Sequence, residues 1–174
     1  MKKVFSTVKG NVLPILLGLS TIWLRLVNLG YSDYQGDEIK AFFLPDTTQS
    51  IYNFLLTQRK GPIQFLITFI LKIFDPTYSN RFFMRLPFAI AGILTVYFFY
   101  KLSEMYFSKK TAFFGAFFLA TNGFFIAFSR IIQYQSFVIL FMITSLYFFT
   151  LSFKKESWKI KGLYFGFISW ALSC

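Results

Sequence analysis

The sequence lacks histidine altogether, and its single cysteine is the terminal residue, Cys174. Disulfide bonds, metal sites rich in cysteine or histidine, and a histidine general base are therefore excluded within this chain. Acidic residues are also few, seven against eighteen Lys and Arg. Acid–base chemistry in this chain must therefore use Asp, Glu, Lys or Tyr.

Charge is scarce relative to a soluble protein. Charged residues make up 14% of the 174 positions, where soluble domains have about 25%. Several apolar runs reach the roughly 18–20 residues that a bilayer crossing needs. The composition predicts an all-α, polytopic bundle of transmembrane helices. The net charge of +11 does not indicate a nucleic-acid partner, because the basic residues lie in short clusters between apolar runs, as membrane topology requires.

Five membrane spans are predicted, over about residues 12–29, 83–102, 111–128, 136–153 and 162–174. Residues 30–82 are expected to form an outer loop with amphipathic helices at the membrane surface. Within it, residues 63–74 are too few to cross comfortably, which favours a short interfacial helix that begins at Pro62. The last apolar run stops after about a dozen residues, so we expect the chain to be the N-terminal portion of a longer protein.

The lysine clusters set the expected orientation. If the helix after Pro62 does not cross, the clusters at 2–9, 101–110 and 154–161 all lie in the cytoplasm together with the N-terminus. If it does cross, the second cluster moves outside and the positive-inside pattern breaks. The sequence therefore predicts a cytoplasmic N-terminus and an extracytoplasmic loop at 30–82.

The polar stretch YSDYQGDEIKAFFLPD, residues 31–46, holds four of the seven acids: Asp33, Asp37, Glu38 and Asp46. Carboxylates beside a membrane span are costly unless they sit in water or have a function. Asp33 and Asp46 are explained as solvated loop residues, but the adjacent pair Asp37–Glu38 has no use in topology. We therefore expect this pair to belong to a functional site.

Basic residues from several segments are predicted on the same outer face. Taken singly they are explained as interface anchors or, for Arg25 near the end of the first span, as a side chain that snorkels or faces a polar cavity. Taken together with the acids they indicate a site. The outer cations are Arg25, Lys60, Arg81, Arg85 and Arg130.

Five pieces of sequence, in this order, carry a family resemblance: RLVNLG at 25–30, GDEIKAFF at 36–43, RKGPIQFLITFILKIF at 59–74, RLPFAIAGILTVYFFYKL at 85–102 and AFFLATNGFFIAFSRIIQYQSFVILF at 116–141. The chain resembles the GT-C polyprenyl-phosphate-sugar glycosyltransferases, in particular the protein O-mannosyltransferase and aminoarabinose-transferase-like branch. The resemblance covers nearly the whole chain.

The resemblance implies roles for individual residues. Asp37 matches the catalytic Asp that deprotonates the acceptor hydroxyl, and Glu38 is its neighbour in the same motif. Lys60 matches the basic residue of a KPP-like motif that engages the lipid-linked phosphate. Arg130 lies in the second outer loop, where the family commonly has a further acid and this chain has SRIIQYQ. Arg59 and Gly61 also depart from the pattern, where some members have Glu and Pro.

The residues suit this chemistry on their own terms. A sugar leaving a polyprenyl phosphate departs on a phosphate anion, which Lys and Arg stabilise where the dielectric is low. The catalytic candidates are Asp37 and Glu38, and the substrate-binding candidates are Lys60, Arg130, Arg85 and Arg25. No tightly bound metal or cofactor is expected; a weak Mg or Mn ion shared with the lipid phosphate is compatible with the few carboxylates present.

The hypothesis is a membrane glycosyltransferase that moves a sugar, with inversion, from a polyprenyl-phosphate donor to a lipid, glycan or protein acceptor. It is expected in a bacterial or archaeal cell membrane, with the active site on the extracytoplasmic side. A transporter or channel component is the first alternative, but it should bury ionisable residues at mid-span, and residues 111–128 and 136–153 contain none. A non-catalytic membrane subunit is the second, and it would not need Asp37–Glu38.

Overall fold

The computed structural model describes residues 2–44, 50–57 and 62–173, with side chains from Val12 onward. All regular structure in these residues is helical, which confirms the all-α prediction. The elements are α1 (Lys2–Leu26), α2 (Gly36–Ile39), α3 (Ile51–Thr57), α4 (Pro62–Phe74), α5 (Arg81–Glu104), α6 (Lys109–Thr121), α7 (Gly123–Ser129), α8 (Gln135–Lys154), a 3₁₀ turn (Glu156–Trp158) and α9 (Lys159–Ser173).

Two of the described helices, α5 and α8, are long and apolar enough to cross a membrane. The 24 residues of α5 extend about 36 Å, which exceeds the roughly 30 Å of a hydrocarbon core. The described part of α1 from Val12 and the whole of α4 are shorter apolar helices. A third span arises if α6 and α7 are counted together.

The predicted span at 111–128 is not one straight helix. Its two halves, α6 and α7, meet at 62°. Asn122 at the break has an extended backbone, and its side-chain oxygen accepts a hydrogen bond from the Phe125 amide at 2.9 Å, which caps α7. Because the cap starts a new helix, carbonyls at the end of α6 lose their helical partners. One of them, Ala120 O, accepts from Arg25 Nη1 at 3.3 Å instead.

Helix α5 lies at the centre and contacts α1, α6 and α8, while α9 packs against α8. Alanines on α6 are fully buried and let neighbouring helices approach closely, as is common in membranes. Small residues also lie at the α8–α9 contact, where Ser145 Oγ donates to Gly166 O at 3.0 Å. One core cluster comprises Leu17, Val96, Tyr100, Ala112, Ala116, Ala120 and Phe125.

Helix α4 begins at Pro62, as predicted, and is held against the acid-bearing loop. Thr68 Oγ1 donates to Ala41 O at 3.1 Å, and Tyr78, which follows the helix, donates its hydroxyl to Phe43 O at 3.0 Å. The helix has 13 residues, about 20 Å at 1.5 Å per residue. That length favours an interfacial helix, and its failure to cross the membrane stays a prediction.

The two ends of α5 contact different loops. Near its first turn, Arg85 is bonded to the loop after α1. At its other end Lys101 pairs with Glu104 at 2.9 Å, and Lys154 of α8 donates to Met105 O. The acid-bearing loop and the basic 101–110 segment therefore lie at opposite ends of the bundle, as the charge pattern requires.

Candidate active site

Glu38 is completely buried although it lies in the short helix α2, within the polar segment after the first helix. Each carboxylate oxygen accepts two hydrogen bonds. Oε1 accepts from Arg85 Nε at 2.8 Å and from the Ile132 amide at 3.1 Å. Oε2 accepts from Arg85 Nη2 at 2.8 Å and from the Gln35 amide at 3.0 Å. The carboxylate is thus surrounded by donors and ties together three distant parts of the chain.

Arg85 forms a bidentate ion pair with this carboxylate and donates its remaining hydrogen bonds to the loop after α1. Nη1 donates to Leu29 O, Ser32 O and Ser32 Oγ at 3.0–3.2 Å, and Nη2 also donates to Asp33 O at 3.0 Å. The side chain is 2% exposed. Every nitrogen of this guanidinium therefore has a partner inside the fold, and none is directed at open space.

Asp37, the other member of the acidic pair, faces outward. Adjacent residues on a helix point about 100° apart, so the burial of Glu38 turns Asp37 away from the core. Its side chain is 60% exposed, and its nearest cation is Lys40 Nζ at 3.9 Å. Among the described residues, Asp37 is therefore the carboxylate of this pair that a substrate can reach.

Asp37 lines a concavity of about 310 Å³ between the loop after α1 and the turn between α7 and α8. The hydrogen bond from the Ile132 amide to Glu38 holds that turn against the loop. The structure therefore brings together two segments that are more than ninety residues apart in the sequence. The lining residues are Gln35, Gly36, Asp37, Glu38, Lys40, Ile131 and Gln133.

Tyr34 and Tyr78 support the acid-bearing loop through ring and hydroxyl contacts. The Tyr34 ring lies under the Arg85 guanidinium at 5.4 Å, and its hydroxyl donates to Tyr78 O at 2.8 Å. Burial raises the pKa of Tyr34 and that of Tyr78 to about 12. Both phenols are therefore neutral hydrogen-bond donors at physiological pH and are not bases.

Arg25 and Arg130 each donate hydrogen bonds to backbone carbonyls at the C-terminal end of another helix. Arg25 on α1 is fully buried, lies over the Phe125 ring at 5.0 Å and donates to Ala120 O at the end of α6. Arg130, just after α7, donates to Leu24 O at 2.8 Å and Asn28 O at 3.1 Å at the end of α1. Cations are stabilised at helix C-termini, so Arg25 stabilises the end of α6 and Arg130 stabilises the end of α1.

Burial, and then the charge of Arg85, lower the pKa of Arg130. Arg130 remains half-exposed, whereas Arg25 is closed off from solvent. Of these two predicted substrate-binding residues, Arg130 is the one that the structure leaves near open space beside the concavity.

The family model for dolichyl-phosphate-mannose-protein mannosyltransferases matches residues 61–173, more than half of the chain. The chain belongs to this family. It is a membrane glycosyltransferase of the GT-C type. No curated protein and no solved structure matches the sequence. The matched residues run from α4 to α9 and include Arg85 and the 130–135 turn, but they do not include Asp37 and Glu38.

Of the predicted site residues in this glycosyltransferase, Asp37, Glu38 and Arg85 form one connected cluster, and Arg130 lies in the adjoining turn. Arg25 is buried at the α6–α7 break. Lys60 and Asp46 lie outside the described residues. No group of three or more metal-binding side chains of the His, Cys, Asp or Glu type occurs in the described part of the chain.

Three residues that line the concavity were not predicted as site residues: Lys40, Gln35 and Gln133. The sequence did give one signal for Gln133: it lies in the second outer loop, where the family that the chain resembles commonly has an acidic residue. Its place opposite Asp37 depends on the hydrogen bond between Ile132 and Glu38. That contact between distant segments leaves no local signal in the sequence.

Proposed function

We propose that this glycosyltransferase moves a sugar from a polyprenyl-phosphate-linked donor to a hydroxyl group of its acceptor, with Asp37 as the general base. The observation that carries the proposal is the contrast within the acidic pair. Glu38 is buried and has four donors, whereas Asp37 is exposed at the edge of a concavity. A base must come within hydrogen-bond reach of the proton that it takes, and of the two acids Asp37 is the one whose side chain is exposed to a substrate in the concavity.

In the proposed step the acceptor hydroxyl donates its proton to the Asp37 carboxylate. The hydroxyl oxygen forms a bond to the anomeric carbon of the sugar while the bond from that carbon to the phosphate oxygen breaks. The electron pair of the broken bond leaves on the polyprenyl phosphate. One base and a leaving group on the opposite face correspond to a single displacement with inversion.

The leaving phosphate gains negative charge, which cations at the membrane face stabilise. We assign this role to Lys60 and Arg130. Arg85 was also a candidate, but all of its nitrogens are bonded to Glu38 and to the loop after α1. In this proposal Arg85 and Glu38 are positioning residues that hold Asp37 in place. Arg25 is buried at the helix break and bonds to Ala120 O, so we assign it to the fold and not to the substrate.

The first experiment replaces Asp37 in the full-length protein, reconstituted in lipid and supplied with polyprenyl-phosphate mannose. Asp37→Asn should lower turnover by at least about 10²-fold, the usual contribution of a general base, while leaving donor binding near the wild-type value. Lys60→Ala should weaken donor binding and slow the step together, since it touches a charge present before and during the transition state.

Asp33→Asn is the matched control, because Asp33 is an exposed acid in the same loop that pairs with Arg81 and does not line the concavity. It should retain most activity. Near-normal turnover in Asp37→Asn would refute the assigned base. Loss of turnover in a stably folded Glu38→Gln variant with an active Asp37→Asn would show that the two acids have the opposite roles.

The proposed site is extracytoplasmic, with the N-terminus in the cytoplasm. In a Cys174→Ser background, single cysteines at Gln133 and at Met105 should react with a membrane-impermeant maleimide from opposite sides of sealed vesicles. Met105 lies in the basic 101–110 segment, at the end of α5 away from the acid-bearing loop. Basic segments of this kind lie on the cytoplasmic side. Labelling of both positions from one side would contradict this topology.

A further inference from the structure

The concavity beside Asp37 has a composition that identifies a class of ligand. We propose that it binds one neutral sugar ring and that Gln133 is a specificity-determining residue that hydrogen-bonds the ring hydroxyls. This inference rests on the proposed function and extends it to a residue at which the chain departs from the pattern it resembles.

The charged groups around the concavity are paired with one another. The Glu38 carboxylate at the base of the concavity is neutralised by its bidentate pair with Arg85. At the surface, Asp37 and Lys40 carry opposite charges 3.9 Å apart. The charges of the described lining residues therefore balance, so these residues favour neither a phosphate nor a cation inside the concavity, in contrast to Arg130 beside it. A neutral ligand with many hydroxyl groups suits this balance best.

Two amide side chains in the lining can hydrogen-bond to a ligand. Gln35 and Gln133 both line the concavity, and an amide side chain offers two donors and one acceptor, as hydroxyl groups require. The Gln133 amide makes no hydrogen bond to another described residue, and its side chain is half-buried. A half-buried amide without a protein partner is available to a ligand. Ile131 supplies one apolar wall against which a ring can pack.

The volume of the concavity and the rigidity of its wall also suit a single sugar ring. About 310 Å³ is at the lower end of the roughly 300–1,000 Å³ range of small-molecule sites, which suits one ring and not an oligosaccharide. The Ile132 amide is bonded to buried Glu38 at 3.1 Å, so the backbone next to Gln133 is held in place before a ligand arrives. Such preorganisation reduces the entropic cost of binding.

The ring belongs either to the donor or to a glycan acceptor, and kinetics separates the two. Gln133→Met keeps the length of the side chain and removes the amide. With polyprenyl-phosphate mannose and polyprenyl-phosphate glucose as donors, a donor site predicts that the wild-type preference shrinks by about tenfold, the effect of one lost hydrogen bond. An acceptor site predicts a similar rise in the KM of the acceptor with the donor preference unchanged.

Gln135→Met is the matched control. It makes the same chemical change two positions away, at a side chain whose oxygen is buried without a partner and which does not line the concavity. The inference is overturned if Gln133→Met changes neither parameter, or if Gln135→Met changes them equally.

A binding readout that needs no transfer keeps the two proposals distinguishable. In the full-length protein with Cys174→Ser, Ile131→Cys places a thiol in the wall of the concavity and leaves Gln133 intact. Methyl α-mannopyranoside or methyl α-glucopyranoside at millimolar concentration should slow maleimide labelling at least twofold, and polyprenyl phosphate without a sugar, held beside the concavity by Arg130, should protect less. The reverse pattern would show a phosphate site and refute the inference. Sugar protection without any transfer by the wild type would instead refute the proposed function alone.

Discussion

The buried pair of Glu38 and Arg85 leads to an unequal response to mutation. In Glu38→Gln, all four neighbours of the carboxylate are N–H donors, so the new NH₂ group must face donors, and the Arg85 charge loses its counter-ion. Breaking a buried pair from one side costs about 3–5 kcal/mol. We expect the free energy of unfolding, measured by denaturant titration in mixed micelles, to fall by that amount.

Arg85→Met should be worse than Glu38→Gln. It leaves a buried carboxylate with only two donors, and it also removes the partner of the carbonyls of Leu29, Ser32 and Asp33. In Glu38→Gln, by contrast, Arg85 keeps those carbonyls. The double variant Glu38→Gln/Arg85→Met should cost less than the two single changes added together, because neither charge is then left unpaired.

Asp37→Asn provides the internal comparison. It changes the adjacent carboxylate, whose nearest cation is an exposed lysine, and such surface pairs contribute about 1 kcal/mol or less. It should therefore abolish turnover with little loss of stability, whereas Glu38→Gln should lose stability first. A Glu38→Gln protein as stable as wild type would refute the structural role assigned to the pair.

Two further predictions concern the scaffold. Gly92→Ala places a methyl group against Ser129 and 3.0 Å from Arg25 Nε, and should lower unfolding free energy by about 1–3 kcal/mol; Gly18→Ala, where nothing lies within 4 Å, should not. A Gly92→Ala protein as stable as Gly18→Ala would contradict the packing at the helix break. Hydrogen bonds led by the Asn80 amide lower the pKa of Asp75 below 3.8, so its contribution is present above that pH and is lost as the pH falls through the folded-state pKa. The Tm should therefore fall less between pH 6 and pH 3 in Asp75→Asn than in wild type. An equal fall in Tm in the two proteins would contradict this.

Much of the architecture could be predicted because its causes are local. Long apolar runs require helices whose backbone groups are satisfied internally, and Pro62 begins α4 because its missing N–H costs nothing at a first turn. The acidic pair after Gly36 was recognisable because carboxylates beside a span need a reason. The break at Asn122 was missed, since the apolar run through Phe125 hides a capping residue within it.

The roles within the site required the tertiary structure. The sequence by itself determined that a helical membrane bundle carries an acidic pair at one end, because composition and spacing are sufficient for that. It did not determine which acid is buried, since the partners of Glu38 are Arg85, 47 residues away, and the Ile132 amide, 94 residues away. Only the packing of those segments turns Glu38 inward, engages Arg85 completely and leaves Asp37 facing the concavity beside Gln133. Burial of a charge is decided by the partners that the fold supplies.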